Sequence, residues 1–71
     1  MNVGDLGTID KGAWNKTRQG VLIQDLGGTW KIMAIRNVHG TTLVDAARTN
    51  ADLPASYYGL LEPQYFIPFT P

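Results

Sequence analysis

The chain contains no cysteine, and only one histidine, one serine and one glutamate in its 71 residues. Without cysteine, neither a disulfide nor a thiolate metal site can form, which fits a reducing compartment. A nucleophile needs an adjacent base that is itself held in place. Joining Ser56, His39 and an aspartate would use the single copies of two residue types, and His39 precedes Gly40 in a turn-like stretch. Asp5, Asp10, Asp25, Asp45 and Asp52 show no metal-loop spacing, and no glycine-rich phosphate motif occurs. The chain therefore reads as a non-enzyme without cofactor or metal. Net charge is lacking too, since six basic and six acidic residues cancel. That removes any general attraction to phosphate backbones and leaves little repulsion between copies. No apolar run approaches the ~20 residues that cross a bilayer. Met1-Asn2-Val3-Gly4-Asp5 lacks the basic-then-apolar pattern of a signal peptide. The expectation is a cytoplasmic protein with no membrane partner. Nor is there an apolar period of 3.6 over a helical length.

What the sequence does contain is β-rich runs punctuated by eight glycines and four prolines. Hydrophobic residues at 44% are too many for a disordered segment. A single domain over residues 1–71 buries only about 60% of its unfolded surface, so packing alone, or packing plus self-association, must hold it. Short strands between turn signals predict an all-β sandwich or barrel. The first strand is expected at 3–9, followed by a polar loop at 10–19. A hairpin is expected at 20–26 and 29–36, turning at Gly27-Gly28, a pair that tolerates positive φ at both positions. Its register would set Leu26 against Thr29, Asp25 against Trp30, Ile23 against Ile32 and Val21 against Ala34. Val21, Ile23, Trp30, Ile32 and Ala34 would then face the core. Leu22, Leu26, Met33 and Ile35 would form a second face too apolar to be simply solvated. Residues 37–40 lead into a strand at 41–45. Alternation is lost over 46–59, one long loop of the kind that is functional or holds a short helix. A 3₁₀ turn is expected around Leu61-Glu62-Pro63, then an edge strand tolerating Pro68.

This order resembles an SH3-like barrel: a strand, a polar loop, a tight hairpin with Trp30 opening its second arm, and Glu62-Pro63-Gln64-Tyr65-Phe66 before the last strand. The resemblance implies a small, strongly bent, five-stranded barrel that binds instead of catalysing. Trp30 and Pro63-Gln64-Tyr65 sit roughly where SH3 domains place a binding tryptophan and a Pro-x-x-Tyr element. The spacing from Pro63 to Tyr65 is one residue shorter than that pattern, and 46–59 has no counterpart in a minimal SH3 domain. Gly20-Val21 in a glycine-flanked strand is similar to KOW-type nucleic-acid modules.

Two candidate sites follow. Tyrosine and tryptophan often carry interface energy, which makes Trp30, Tyr57, Tyr58 and Tyr65 the candidate protein-binding residues. Trp30 and Phe66 are expected to serve mainly as core, while Tyr57 and Tyr58 project from the long loop. The alternative site is basic: Lys11, Trp14, Lys16 and Arg18, where cations meet phosphate and an indole stacks on a base. The Asn15-Lys16-Thr17 sequon is discounted for want of a secretion signal. The leading expectation is a non-catalytic protein-binding module or small inhibitor, such as the phage or bacterial accessory proteins that the resemblance implies. A nucleic-acid or anion binder and a structural subunit of a larger assembly are the alternatives. A homo-oligomer is favoured over a monomer.

Overall fold

In the computed structural model, which describes residues 1–70, the tightest turn is made by His39 and Gly40. Both have positive φ, 51° and 81°, the pairing that suits a two-residue hairpin because its twist matches that of the flanking strands. Asn37 Oδ1 accepts from Gly40 N at 3.0 Å. On either side run the longest elements, β2 (Trp30–Val38) and β3 (Thr41–Arg48), antiparallel from Trp30↔Arg48 to Val38↔Thr41. β1 (Leu6–Ile9) pairs with β2, β4 (Tyr57–Leu61) pairs with β3, and a 3₁₀ turn (Pro63–Tyr65) delivers β5 (Phe66–Pro68) to β1. The result is one antiparallel sheet in the order β4-β3-β2-β1-β5.

The all-β reading holds, with four corrections. The sheet is not closed into a barrel: β4 and β5 are its two edges, and no pairing joins them. The expected Gly27-Gly28 hairpin does not form. The segment before and within β1 takes the side of β2 from Trp30 to Ile32, where that hairpin would have to start, and β3 takes the other side, so residues 20–26 stay outside the sheet. Gly28 alone of the pair has positive φ (90°), and a Cβ there would lie 2.4 Å from Asn50 Oδ1. It needs glycine because Asn50 reaches across to accept from Thr29 N at 2.5 Å. The predicted loop over 46–59 shortens to 49–56, because β3 runs on through Arg48 and β4 already starts at Tyr57. The first strand likewise begins at Leu6, after a turn over the first residues.

Ile9, Ile23, Trp30, Ile32, Val44, Ala46, Tyr58, Leu61 and Phe66 build the core. Ile23 and Ile32 share it without facing each other across a hairpin. Val21, expected beside them, is exposed. β3 is buried on both faces from Leu43 to Ala46. Bulges interrupt β2 at Met33 and β4 at Gly59-Leu60, which together face Asp45, bending the strands and increasing their twist. Gly7 lets β5 come close: a Cβ on it would sit 2.2 Å from Ile67 O. The radius of gyration is 11.2 Å, close to the roughly 11 Å of a folded chain this long. Among the described residues, no helix is long and apolar enough to cross a membrane.

Candidate functional site

The irregular segment between β1 and β2 holds its shape by local bonds. Thr17 N donates to Val21 O (2.9 Å), Gly20 N to Thr17 O (2.9 Å) and Ile23 N to Asn15 O (2.6 Å). These make a small side hairpin that tips at Gly20, where φ is 86°. Its strands carry Lys16 and Leu22 as a bridged pair. Thr17 of the sequon is buried, and its hydroxyl accepts from Val21 N. The base of the segment is fastened at two points. Asp10 N donates to Tyr65 O (2.7 Å), and the Tyr58 hydroxyl donates to Trp14 O (2.6 Å).

This fastening opens a cleft of about 340 Å³ between the segment, β4 and the 3₁₀ turn. Trp14, Lys16 and Arg18 line one wall, and Tyr58, Glu62 and Tyr65 the other. Trp14 is 75% exposed, the most exposed of the large hydrophobic side chains. Tyr65 packs its inner side on the core and lies against Gly12, where an added Cβ would meet Cε1 at 3.4 Å. Arg18 pairs with Glu62 across the cleft. Burial raises the Tyr58 pKa, and the Glu62 carboxylate adds to this while Arg18 opposes it. The hydroxyl therefore stays protonated and remains a donor.

The structure thus joins members of both candidate sets. Trp14, Lys16 and Arg18 from the basic group meet Tyr58 and Tyr65 from the aromatic one. Lys11 lies apart, beside Asn15 and Gln24. Trp30 is wholly buried, with Nε1 donating to Leu26 O (3.0 Å) and Gly27 O (3.2 Å), and presents no surface. Tyr58, expected at the surface, is 5% exposed because its position in β4 turns the ring into the core. Tyr57, its neighbour along the strand, points the other way and is 48% exposed.

Two buried charged groups escape a reading of the sequence. Asp45, 2% exposed, accepts from Arg36 Nε (2.7 Å), Tyr57 OH (2.8 Å) and Leu60 N (2.9 Å). Burial alone would raise its carboxyl pKa. The hydrogen bonds from Leu60, Arg36 and Tyr57, with the Arg36 charge, outweigh that and hold it below the usual range. Leu60 has φ 57°, a left-handed geometry costing about 1–2 kcal/mol for a residue with a Cβ. Its N–H is aimed at Asp45 by that same geometry. With both oxygens engaged, Asp45 ties β2, β3 and β4 together. Its sequence signal was a lone carboxylate inside the apolar run of β3. Arg48 is the second such group, its side chain 2% exposed. Its place in the folded chain is visible only in three dimensions.

Among the described residues, no group of three His, Cys, Asp or Glu is placed to hold a metal ion. His39 sits at the β2–β3 turn and Ser56 just before β4, with no hydrogen bond between them. No family model, curated protein or solved structure matches the chain.

Proposed function

We propose that the protein is a non-catalytic binding domain that receives a segment of a protein partner in the cleft beneath Trp14. The carrying observation is an indole 75% exposed at the mouth of a cleft walled by Tyr65 and Tyr58. Exposed tryptophan and tyrosine beside a concave surface supply much contact area at small entropic cost. The strand order, the long segment between β1 and β2, and the 3₁₀ turn before β5 support an SH3-like reading of the fold. That reading agrees with binding at loops near the 3₁₀ turn.

A nucleic-acid partner is the second reading, favoured by Trp14 and Lys16 standing exposed together. Charge weighs against it. Arg18 is already paired with Glu62, and that carboxylate would face incoming phosphate. A displayed random-peptide library selected on the protein, with single-stranded oligonucleotides tested by anisotropy, separates the two. Peptides that bind the parent and lose binding in Trp14→Ala support the proposal. Salt-sensitive oligonucleotide binding without peptide binding replaces it.

Self-association belongs to the same reading. Leu22, Met33 and Ile35 remain exposed, as do Ile67 and Phe69 near the chain end, while Leu26 packs on the core. Net charge near zero does not oppose pairing. Sedimentation at micromolar concentration is expected to give more than the monomer mass. A constant monomer mass on dilution would refute it.

A further inference from the structure

Arg48 ends β3 as a cation held inside the protein. Its guanidinium lies 5.0 Å from the centroid of the Trp30 ring. Nη1 donates to Pro54 O at 3.1 Å and Nη2 to Asp25 O, both neutral carbonyls. The carboxylate that contacts it, Asp25 Oδ2, is 3.8 Å from Nη2, and the Asp25 side chain is 64% exposed. Nε is buried and has no hydrogen-bond partner among the described residues. A buried ionised donor without an acceptor is costly and uncommon. Nε and Nη2 together form the edge by which a guanidinium holds a planar carboxylate through two parallel hydrogen bonds.

The same arginine lines a groove of about 470 Å³ between the segment before β2 and the one before β4. Val21, Leu22, Pro54 and Tyr57 also line it, and Val21, Leu22 and Tyr57 are left 53%, 67% and 48% exposed. Apolar walls in water beside an under-compensated buried cation match one kind of molecule: an apolar body with a single negative head. The volume is that of a small-molecule site. A phosphate head fits less well, because one guanidinium edge cannot match its extra charge and Asp25 stands beside it.

We propose that this groove is a second binding site, distinct from the Trp14 cleft, for a small apolar monocarboxylate whose head engages Arg48. Nε is closed to solvent, so the ligand head reaches it by replacing the Asp25 side chain, whose Oδ2 is 3.8 Å from Nη2 and whose Oδ1 accepts from Gly27 N at 2.8 Å. Residues 23–28 lie outside the strands of the sheet and the Asp25 side chain is 64% exposed, so one local hydrogen bond from Gly27 N is what the ligand head has to displace.

The probes are hexanoate, its uncharged counterpart hexanamide, and acetate, titrated into the full chain and followed by proton–nitrogen NMR. Hexanoate is expected to give saturable shifts at residues 21–25, 48 and 54–57 and to move the Arg48 Nε–H signal. Hexanamide lacks the charge and acetate the body, so each binds at least about tenfold more weakly. Arg48→Lys keeps the charge and loses the paired edge, and is expected to lose about tenfold. Asp25→Asn removes the competing carboxylate at an exposed position and is expected to tighten hexanoate binding, which keeps the test decisive if Arg48→Lys does not fold. Absence of saturable shifts, equal response to hexanamide, or unchanged affinity in Asp25→Asn would overturn the proposal.

Discussion

Residues 10–29 and 30–48 are stretches of nearly equal length that fold in opposite ways. The second forms two long strands around His39-Gly40 and supplies Trp30, Ile32, Val44 and Ala46 to the core. The first forms no strand in the sheet, holds four of the eight glycines, and gives the core only Ala13, Ile23 and part of Leu26. Its run Val21-Leu22-Ile23 has β propensity as high as anything in β2. The difference lies in available edges: β3 takes one side of β2, and β1 with the turn before it takes the other from Trp30 to Ile32, next to the expected turn. The irregular segment is therefore left to satisfy its backbone locally, and it is where Trp14, Lys16 and Asp25 line the two cavities. Order in one stretch positions the chemistry carried by the other.

The largest test of this contrast is Ile32→Ala. Ile32 is wholly buried at the middle of the sheet, and its truncation is expected to cost about 2–5 kcal/mol. A domain this size has little more to lose, so thermal unfolding should shift far downward. An unchanged melting temperature would mean that the core does not centre on β2.

Glycine substitutions locate the turn. Gly28→Ala adds left-handed strain and a clash with Asn50, and is expected to cost about 2 kcal/mol or more. Gly40→Ala carries the strain alone, since nothing lies within 4 Å of its added Cβ, and is expected to cost about 1–2 kcal/mol. Gly27→Ala meets only the exposed Asp25 carboxylate at 3.1 Å and should stay within about 0.5 kcal/mol. Were 27–28 the hairpin turn, Gly27 would be as sensitive as Gly28.

Asp45→Ala is expected to cost about 1–3 kcal/mol, because Arg36, Tyr57 and the Leu60 N–H lose their shared acceptor. Its pH dependence has a definite sign. The folded pKa of Asp45 is depressed, so its contribution is present above the unfolded value of about 3.9 and is lost as pH falls through the folded value. Denaturant midpoints measured downward from pH 6 should fall less steeply for Asp45→Ala than for the parent. An identical acid slope would place the carboxylate outside this network. The smallest effect is expected from Trp14→Ala, whose exposed indole should leave stability within about 0.5 kcal/mol while weakening partner binding.

Much of the sheet is legible in the chain itself. Lone turn residues, β-rich runs and Pro68 near the end identify an all-β domain, the 3₁₀ turn near Pro63, the short last strand, and Trp30, Ile32 and Phe66 as core. Local residue preferences operate over a few neighbours and are written in the sequence. Which two glycines make the turn is not local. Gly27-Gly28 and His39-Gly40 both permit a hairpin, and the choice falls to whichever run finds an open edge on β2. The same holds for charge. Asp45 looks like any other aspartate until the bulge and Leu60 surround it, and Arg48 like any surface arginine until Trp30, Pro54 and Asp25 close over it. The merging of Trp14 with Tyr58 and Tyr65 into one cleft likewise depends on two long-range bonds, from Asp10 N to Tyr65 O and from Tyr58 OH to Trp14 O. The sequence alone determined the class of fold and the inventory of side chains. Tertiary structure decided pairing and burial, because both depend on which distant segments compete for the same strand edge and the same small core.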